Sequence, residues 1–321
     1  MNKLLFVCGF PSGGTDLTKT ILNVHPDICL NGEMPLLINI AKYGYTCDTQ
    51  FRSLAEIETF QQRLAELNTW NNIKNIQHNF ADEIEAKKEL SLTEVLQKCF
   101  SEEPCPIWGN KTPQNTENIE SLATIFPEAY FLIVVRDVRD VCLSWHNKWG
   151  KDIIWCSEKW GNRMKTGWDM VHMLPESQYT FIKFEDILLQ TEVCYRKICE
   201  FLDIPFSLKM LEHHQYTPES IDGKINYGQK INQGNMEKWR RFLPEKTLKR
   251  IEEIAFETMS IYNYTPEFAA EYKPITRLEK TRGMWRDSSA LLMIGNRARQ
   301  KNLFKQRLQN VGFEVHKRFL T

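Results

Sequence analysis

Apolar residues fill Leu4–Cys8 without a break, and the run stops at Gly9-Phe10-Pro11-Ser12-Gly13-Gly14. Leu17, Ile21 and Val24 then recur at helical spacing, so the start of the chain is expected to form a strand, a glycine-rich loop and a helix. Tyr130–Val135 is six apolar residues in a row, the pattern of a parallel strand covered on both faces. Ile107–Gly109 and Tyr179–Phe184 read as further strands. Helices are expected over about 140–148, 157–173, 191–202 and 244–262. Strand and helix alternate, which predicts an α/β fold of three layers, a central parallel sheet flanked by helices. Residues 49–100 are rich in Glu, Gln, Lys and Asn, with Leu54, Ile57, Phe60, Leu64 and Leu67 at helical intervals, and read as a helical insert. One domain is therefore expected over 1–272, with a less regular extension over 273–321.

Two loops carry candidate chemistry. A glycine loop between a buried strand and a helix gathers backbone N–H groups and a helix N-terminus at one point, which favours an anion, and the Thr15 hydroxyl adds a donor. A plain glycine turn is the alternative. The spacing of Gly9 and Gly14 is that of a Walker A loop, but Thr15 stands where its Lys should follow, which disfavours nucleoside triphosphate hydrolysis. The second loop, Arg136-Asp137-Val138-Arg139-Asp140, follows the strongest strand and so leaves the sheet at its carboxyl end, where open α/β folds bind ligands. An Arg fork suits phosphate, and Ser144, about two helical turns on, can complete the shell. A local ion pair of Arg136 with Asp137 or Asp140 is the competing reading.

In this order the two loops resemble those of the PAPS-dependent sulfotransferase superfamily, PAPS being 3′-phosphoadenylyl sulfate. The resemblance extends to Asn110-Lys111-Thr112-Pro113, to Phe184-Glu185-Asp186-Ile187-Leu188 and to Lys238-Trp239-Arg240, and runs from about residue 4 to 264. It implies a P-loop-NTPase-like sulfotransferase fold and transfer of a sulfuryl group to an acceptor hydroxyl, with adenosine 3′,5′-bisphosphate as product and no metal required. By the same resemblance, Pro11, Ser12, Gly13, Gly14, Thr15 and Asp16 hold the 5′-phosphosulfate and Arg136 with Ser144 grips the 3′-phosphate. Lys238 and Arg240 add charge there, Phe184 lies against the adenine, and Glu185 holds the fold through an Arg. Lys111 is implied as the cation on the bridging oxygen. Glu33, in Asn31-Gly32-Glu33-Met34-Pro35, is similar in its distance from the loop to the catalytic Glu of the tyrosylprotein branch, and is expected to be the base, its pKa raised by a bound acceptor. His25 reads as structural. The chain departs from the family at Ser12, where an Arg or Lys is usual, and at Asp16, where a hydroxyl is usual; Lys19 is the candidate substitute cation. The alternatives are a nucleotide- or glycan-binding protein without turnover, or a P-loop kinase-like phosphotransferase.

Composition narrows the rest. Lys and Arg number 41 and Asp and Glu 41, so no global field marks a nucleic-acid partner. From Lys273 to Thr321 there are 12 basic and 3 acidic residues. Beside Leu291, Leu292, Met293, Ile294, Leu303, Phe304 and Leu308, these charges suit an anionic membrane surface, or a solvated helix packed back on the domain. Trp145, Trp149, Trp155, Trp160 and Trp168, interleaved with His146, Lys148, Lys151, Lys159 and Arg163, fit stacking on a glycan, although Trp at helical spacing is more often core. A carbohydrate or lipid-linked glycan is the expected acceptor, with a tyrosine side chain or a lipid as the alternatives. The nine cysteines show no ligand or disulfide spacing, and no signal peptide or spanning segment is evident, so a cytoplasmic protein, peripheral at the inner membrane face through its tail, is expected.

Overall fold

The computed structural model describes residues 2–33, 36–67, 77–101, 105–217, 221–222, 225–226 and 229–292. Five parallel strands form the central sheet: β1 (Lys3–Gly9), β2 (Ile28–Asn31), β3 (Ile107–Lys111), β4 (Tyr130–Val135) and β5 (Tyr179–Lys183), in the order β2-β3-β1-β4-β5. Alternate residues of one strand serve opposite faces. Phe6, Phe131 and Ile133 join one core cluster, while Leu5, Val7, Leu132 and Val134 join the other. Both faces are covered by helices, which is why the runs at β1 and β4 are continuously apolar.

β1 leads through the glycine loop into α1 (Thr15–Leu22). The insert contains α2 (Leu54–Leu67) and α3 (Leu92–Phe100), and an antiparallel pair of Gln50–Phe51 with Leu90–Ser91 closes its base. Ser91 and Glu94 form a capping box that starts α3. After β4 come α4 (Val138–Trp149) and α5 (Ile153–Val171); α6 (Phe184–Leu189) follows β5, and α7 (Glu245–Ile261) packs against α5. The expected strands and helices are therefore present. β2 is the strand of the central sheet that sequence reading missed, because four residues at a sheet edge leave too short a signature.

The final described element, α8 (Arg277–Leu292), lies on α5. Gly283 sits where a Cβ would fall 2.3 Å from that of Trp155, and Asp287 accepts from Lys159 Nζ at 2.8 Å and from the Asp152 N–H at 3.1 Å. The first part of the basic extension thus packs back on the domain. The tail residues after Leu292, from Met293 to Thr321, lie outside the described residues, as do Met34 and Pro35.

The expectation that no cysteines pair is corrected by a disulfide between Cys29 and Cys105, whose Cα atoms are 6.1 Å apart and which are separated by 76 positions in sequence. Cys29 is in β2 and Cys105 lies just before β3, so the bridge ties together two neighbouring strands that carry site residues beyond it. Cys29→Ser should lower stability by about 2–4 kcal/mol, since a long loop is released in the unfolded chain. Thermal melts with and without reductant check this: wild type should fall to the variant's midpoint when reduced, and the variant should not respond.

Candidate active site

Gly14 holds a φ of 96°, in the left-handed region, as the N-cap of α1, and a Cβ there would fall 2.1 Å from the Phe184 ring. Only glycine lets the loop turn into the helix with that ring so close. Ser12 holds a φ of 66°, uncommon for a residue with a side chain. Its carbonyl accepts from Arg136 NH1 at 3.1 Å. The Thr116 hydroxyl pins the start of the loop, accepting from the Gly9 N–H at 2.7 Å and donating to the Gly9 carbonyl at 2.8 Å. Thr15 is buried, Pro11, Ser12 and Asp16 are half-buried, and Gly13 N–H closes the turn on the Phe10 carbonyl at 2.8 Å.

Lys111 ends β3 with its amine buried beneath two carboxylates, Asp16 at 2.6 Å and Glu33 at 2.9 Å. Its side chain is 2% exposed, whereas Asp16 and Glu33 are 38% and 39% exposed, so a buried cation lies beneath two partly exposed carboxylates. Burial alone would lower the Lys111 pKa, but the facing charges of Asp16 and Glu33 outweigh it and hold the pKa raised. The two carboxylates thus favour the charged form of the amine.

Arg136 leaves the end of β4 and bridges three segments. Besides Ser12 it donates through NH2 to the Asn235 carbonyl at 2.6 Å, and its guanidinium lies 4.5 Å from the Phe184 ring centre. Lys238 donates to the Asn235 side chain at 2.5 Å, and its pKa is lowered by burial and then by the neighbouring Arg136 charge. Asp140, 3.9 Å from Arg136, only partly offsets these cations, and burial raises its own pKa. The competing reading of Arg136 as a local ion pair thus captures one of its contacts and misses the others. Ser144 is half-buried in the middle of α4.

A rigid frame holds Arg136 in place. The Glu185 carboxylate accepts from the Asp137 N–H at 3.0 Å and the Tyr264 hydroxyl at 2.7 Å, and burial raises its pKa. The expected Arg partner of Glu185 is corrected to these two neutral donors. The buried Arg139 is held instead by Asp137 and Glu252, each at 2.7 Å, over the Trp239 ring. Arg240 is engaged by Glu267 and Glu237. His25 is buried and structural, with Nε2 2.8 Å from the Pro205 carbonyl and Nδ1 accepting the Asp27 N–H.

The residues fit a ligand with two separated anionic groups. Arg136 Nε is buried with no acceptor among the described residues, beside Lys238, whose pKa is lowered by burial and by the Arg136 charge. Across the glycine loop, Lys111 offers the other cation. Asn235, Asp16 as a partner of Lys111 and the Arg139 network were not foreseen. Their contacts with the expected residues span distances in sequence that no periodicity records.

The tryptophans are mostly used in packing. Trp145 is stacked on Phe10 with ring centres 4.9 Å apart, Trp149 stands edge-on to Trp145, Trp160 is fully buried, and Trp168 packs against Phe181 and Tyr262.

Residues 5–208 match the family model of the sulfotransferase family. The chain is 25% identical over 280 residues to a protein-tyrosine sulfotransferase of Drosophila melanogaster, covering 82% of this chain and 52% of the fly protein. It is 24% identical over 271 residues to protein-tyrosine sulfotransferase 1 of Mus musculus, covering 78% of this chain and 67% of the mouse protein. The chain thus spans about half the length of the fly relative. A sulfotransferase domain from the curacin biosynthetic pathway superposes with a TM-score of 0.55 at 15% identity, over 83% of this chain and 99% of that domain, a likeness of fold. The expected cytoplasmic location is corrected by these findings. A structural disulfide such as Cys29–Cys105 is rare in a reducing cytosol.

Proposed function

The chain belongs to the sulfotransferase family, a PAPS-dependent transferase class, and on that footing we propose that it moves the sulfuryl group of PAPS to a hydroxyl through the residues around the glycine loop. The observation that carries the reading is the meeting of Arg136 with Ser12 of the loop across 124 positions, which puts Arg136 on the same loop whose Asp16 contacts Lys111. Arg136 and Lys238 hold the 3′-phosphate, with Ser144 on the adjoining helix. The loop from Pro11 to Asp16 cradles the phosphosulfate through backbone donors. Phe184, wedged between Gly14 and Arg136, shapes the wall of that site.

PAPS supplies the sulfuryl group and leaves as adenosine 3′,5′-bisphosphate. Glu33 takes the acceptor's hydroxyl proton as the new oxygen–sulfur bond forms. Lys111 exchanges its contact with Asp16 for the oxygen that inherits the electron pair of the breaking bond, and so neutralises the charge that develops there. Asp16, where the family usually has a hydroxyl, pairs with Lys111 at rest.

For the acceptor, the relatives' names favour a tyrosine phenol of a protein. The glycan reading rested on the tryptophan cluster, and the packing of Trp145, Trp160 and Trp168 into the molecule weakens it. Radiolabelled PAPS offered with a tyrosine peptide and with an oligosaccharide separates the two: label in tyrosine sulfate supports the first, label in the sugar alone overturns it.

Calorimetric titration tests the donor site. Arg136→Ala should weaken adenosine 3′,5′-bisphosphate at least tenfold, about 1.4 kcal/mol, and leave adenosine 5′-monophosphate nearly unaffected. Equal losses for both nucleotides would make Arg136 a structural residue. Tighter binding of ATP with magnesium than of the bisphosphate would favour a phosphotransferase.

A further inference from the structure

α8 has two unlike faces. Both of its acidic side chains turn inward: Glu279 accepts from Arg250 at 2.8 Å and Asp287 from Lys159 at 2.8 Å, with Gly283 seated on Trp155 between them. The opposite face carries Leu278 and Trp285, 80% and 77% exposed, seven residues apart and so on one stripe. Arg282 lies between them, Met284 is also exposed, and Arg277 and Arg286 border the stripe. Arg286 also stands 3.9 Å from Asp152.

Single exposed apolar side chains are ordinary. Here the acids that would keep a helix soluble are spent on the domain, and the outer face combines large apolar groups with cations. A Trp and a Leu beside arginines suit the boundary between headgroups and acyl chains, where the rings and methyl groups enter and the guanidinium groups meet phosphates. We infer that the outer face of α8 seats this protein on the surface of an anionic lipid bilayer. Leu278 and Trp285 enter the boundary, and Arg277 and Arg282 face the headgroups.

Charge argues against the rest of the chain covering this face. Residues 293–321 contain seven Lys or Arg and one acid, Glu314, so they carry the same sign as the arginines of α8. Like charges repel across such a contact, whereas both segments are drawn to anionic lipid. The inference concerns where the protein sits and is independent of the acceptor.

Flotation of the full-length protein tests it, with vesicles of phosphatidylcholine alone and with about a third phosphatidylserine, at low salt. Wild type should float with the anionic vesicles only and be released by ~1 M salt, where the Debye length is ~3 Å. The double variant Leu278→Ser with Trp285→Ser, and separately Arg282→Glu, should each reduce the bound fraction about tenfold. These side chains are exposed, so the melting temperature should not change, and sulfate transfer to a soluble acceptor should persist. Wild type that fails to float with anionic vesicles overturns the inference. A double variant that floats like wild type also overturns it, by assigning the binding to other residues. A wild-type dimer that becomes a monomer in the double variant, seen by sedimentation velocity, would give the face to a second copy of the chain instead.

Discussion

Glu33→Gln is expected to lower turnover at saturating acceptor by about 10²–10⁴ while adenosine 3′,5′-bisphosphate binds as in wild type. The amide keeps the shape of the carboxylate and can still accept from Lys111, which Glu33 contacts at 2.9 Å. What it lacks is the capacity to take a proton. Lys111 also keeps Asp16 at 2.6 Å, so the cation is not set loose by the change. Asp16→Asn is the control, because it likewise removes one of the two carboxylate charges beside Lys111 and leaves the base in place. Its turnover should fall less than about tenfold. Steady-state rates with both variants separate the roles: wild-type turnover in Glu33→Gln would remove Glu33 as the base. Equal large losses in both variants would show that the ion pairs, and not proton transfer, matter.

Glu252→Ala is expected to cost about 3–5 kcal/mol of unfolding free energy, the range for removing one partner of a buried ion pair. Glu252 is fully buried on α7, and one oxygen accepts from Arg139 NH1 at 2.7 Å. Its other oxygen accepts three consecutive backbone N–H groups, those of Glu267, Phe268 and Ala269, at 3.0, 2.7 and 3.0 Å. Alanine would leave a buried guanidinium short of one carboxylate and those three donors without their acceptor. Because Arg139 also orients Asp137, whose N–H is held by Glu185, the loop bearing Arg136 should loosen and nucleotide affinity fall with it. Urea denaturation followed by tryptophan fluorescence measures the loss. A change below ~1 kcal/mol would mean that the network is replaced by water at little cost.

Periodicity in the chain was enough to set out the frame. The unbroken apolar runs at Leu4–Cys8 and Tyr130–Val135 announce strands buried on both sides, because each residue step reverses the face and neither face tolerates a polar group. The turn at Gly9 to Gly14 and the Arg after β4 mark the carboxyl edge of the sheet, which is why the residues of the site were visible before their contacts were. The tail shows the limit of such reading. Its composition allowed either a membrane contact or packing on the domain, and over 277–288 the inner face packs while Leu278, Met284 and Trp285 remain exposed.

Local pattern determined the order of the elements, the parallel sheet and the candidate residues on its edge, since these depend on neighbours within a few positions. Tertiary structure alone decided which side chains meet. The pairing of Lys111 with both Asp16 and Glu33, the Cys29–Cys105 bridge, Arg136 on Ser12 and Asn235, and the neutral donors that hold Glu185 all join distant segments. Hydrophobic periodicity records which face of an element is buried, and it carries no information on which distant polar group will share that burial. Desolvation makes such partners necessary, and only the folded chain selects them.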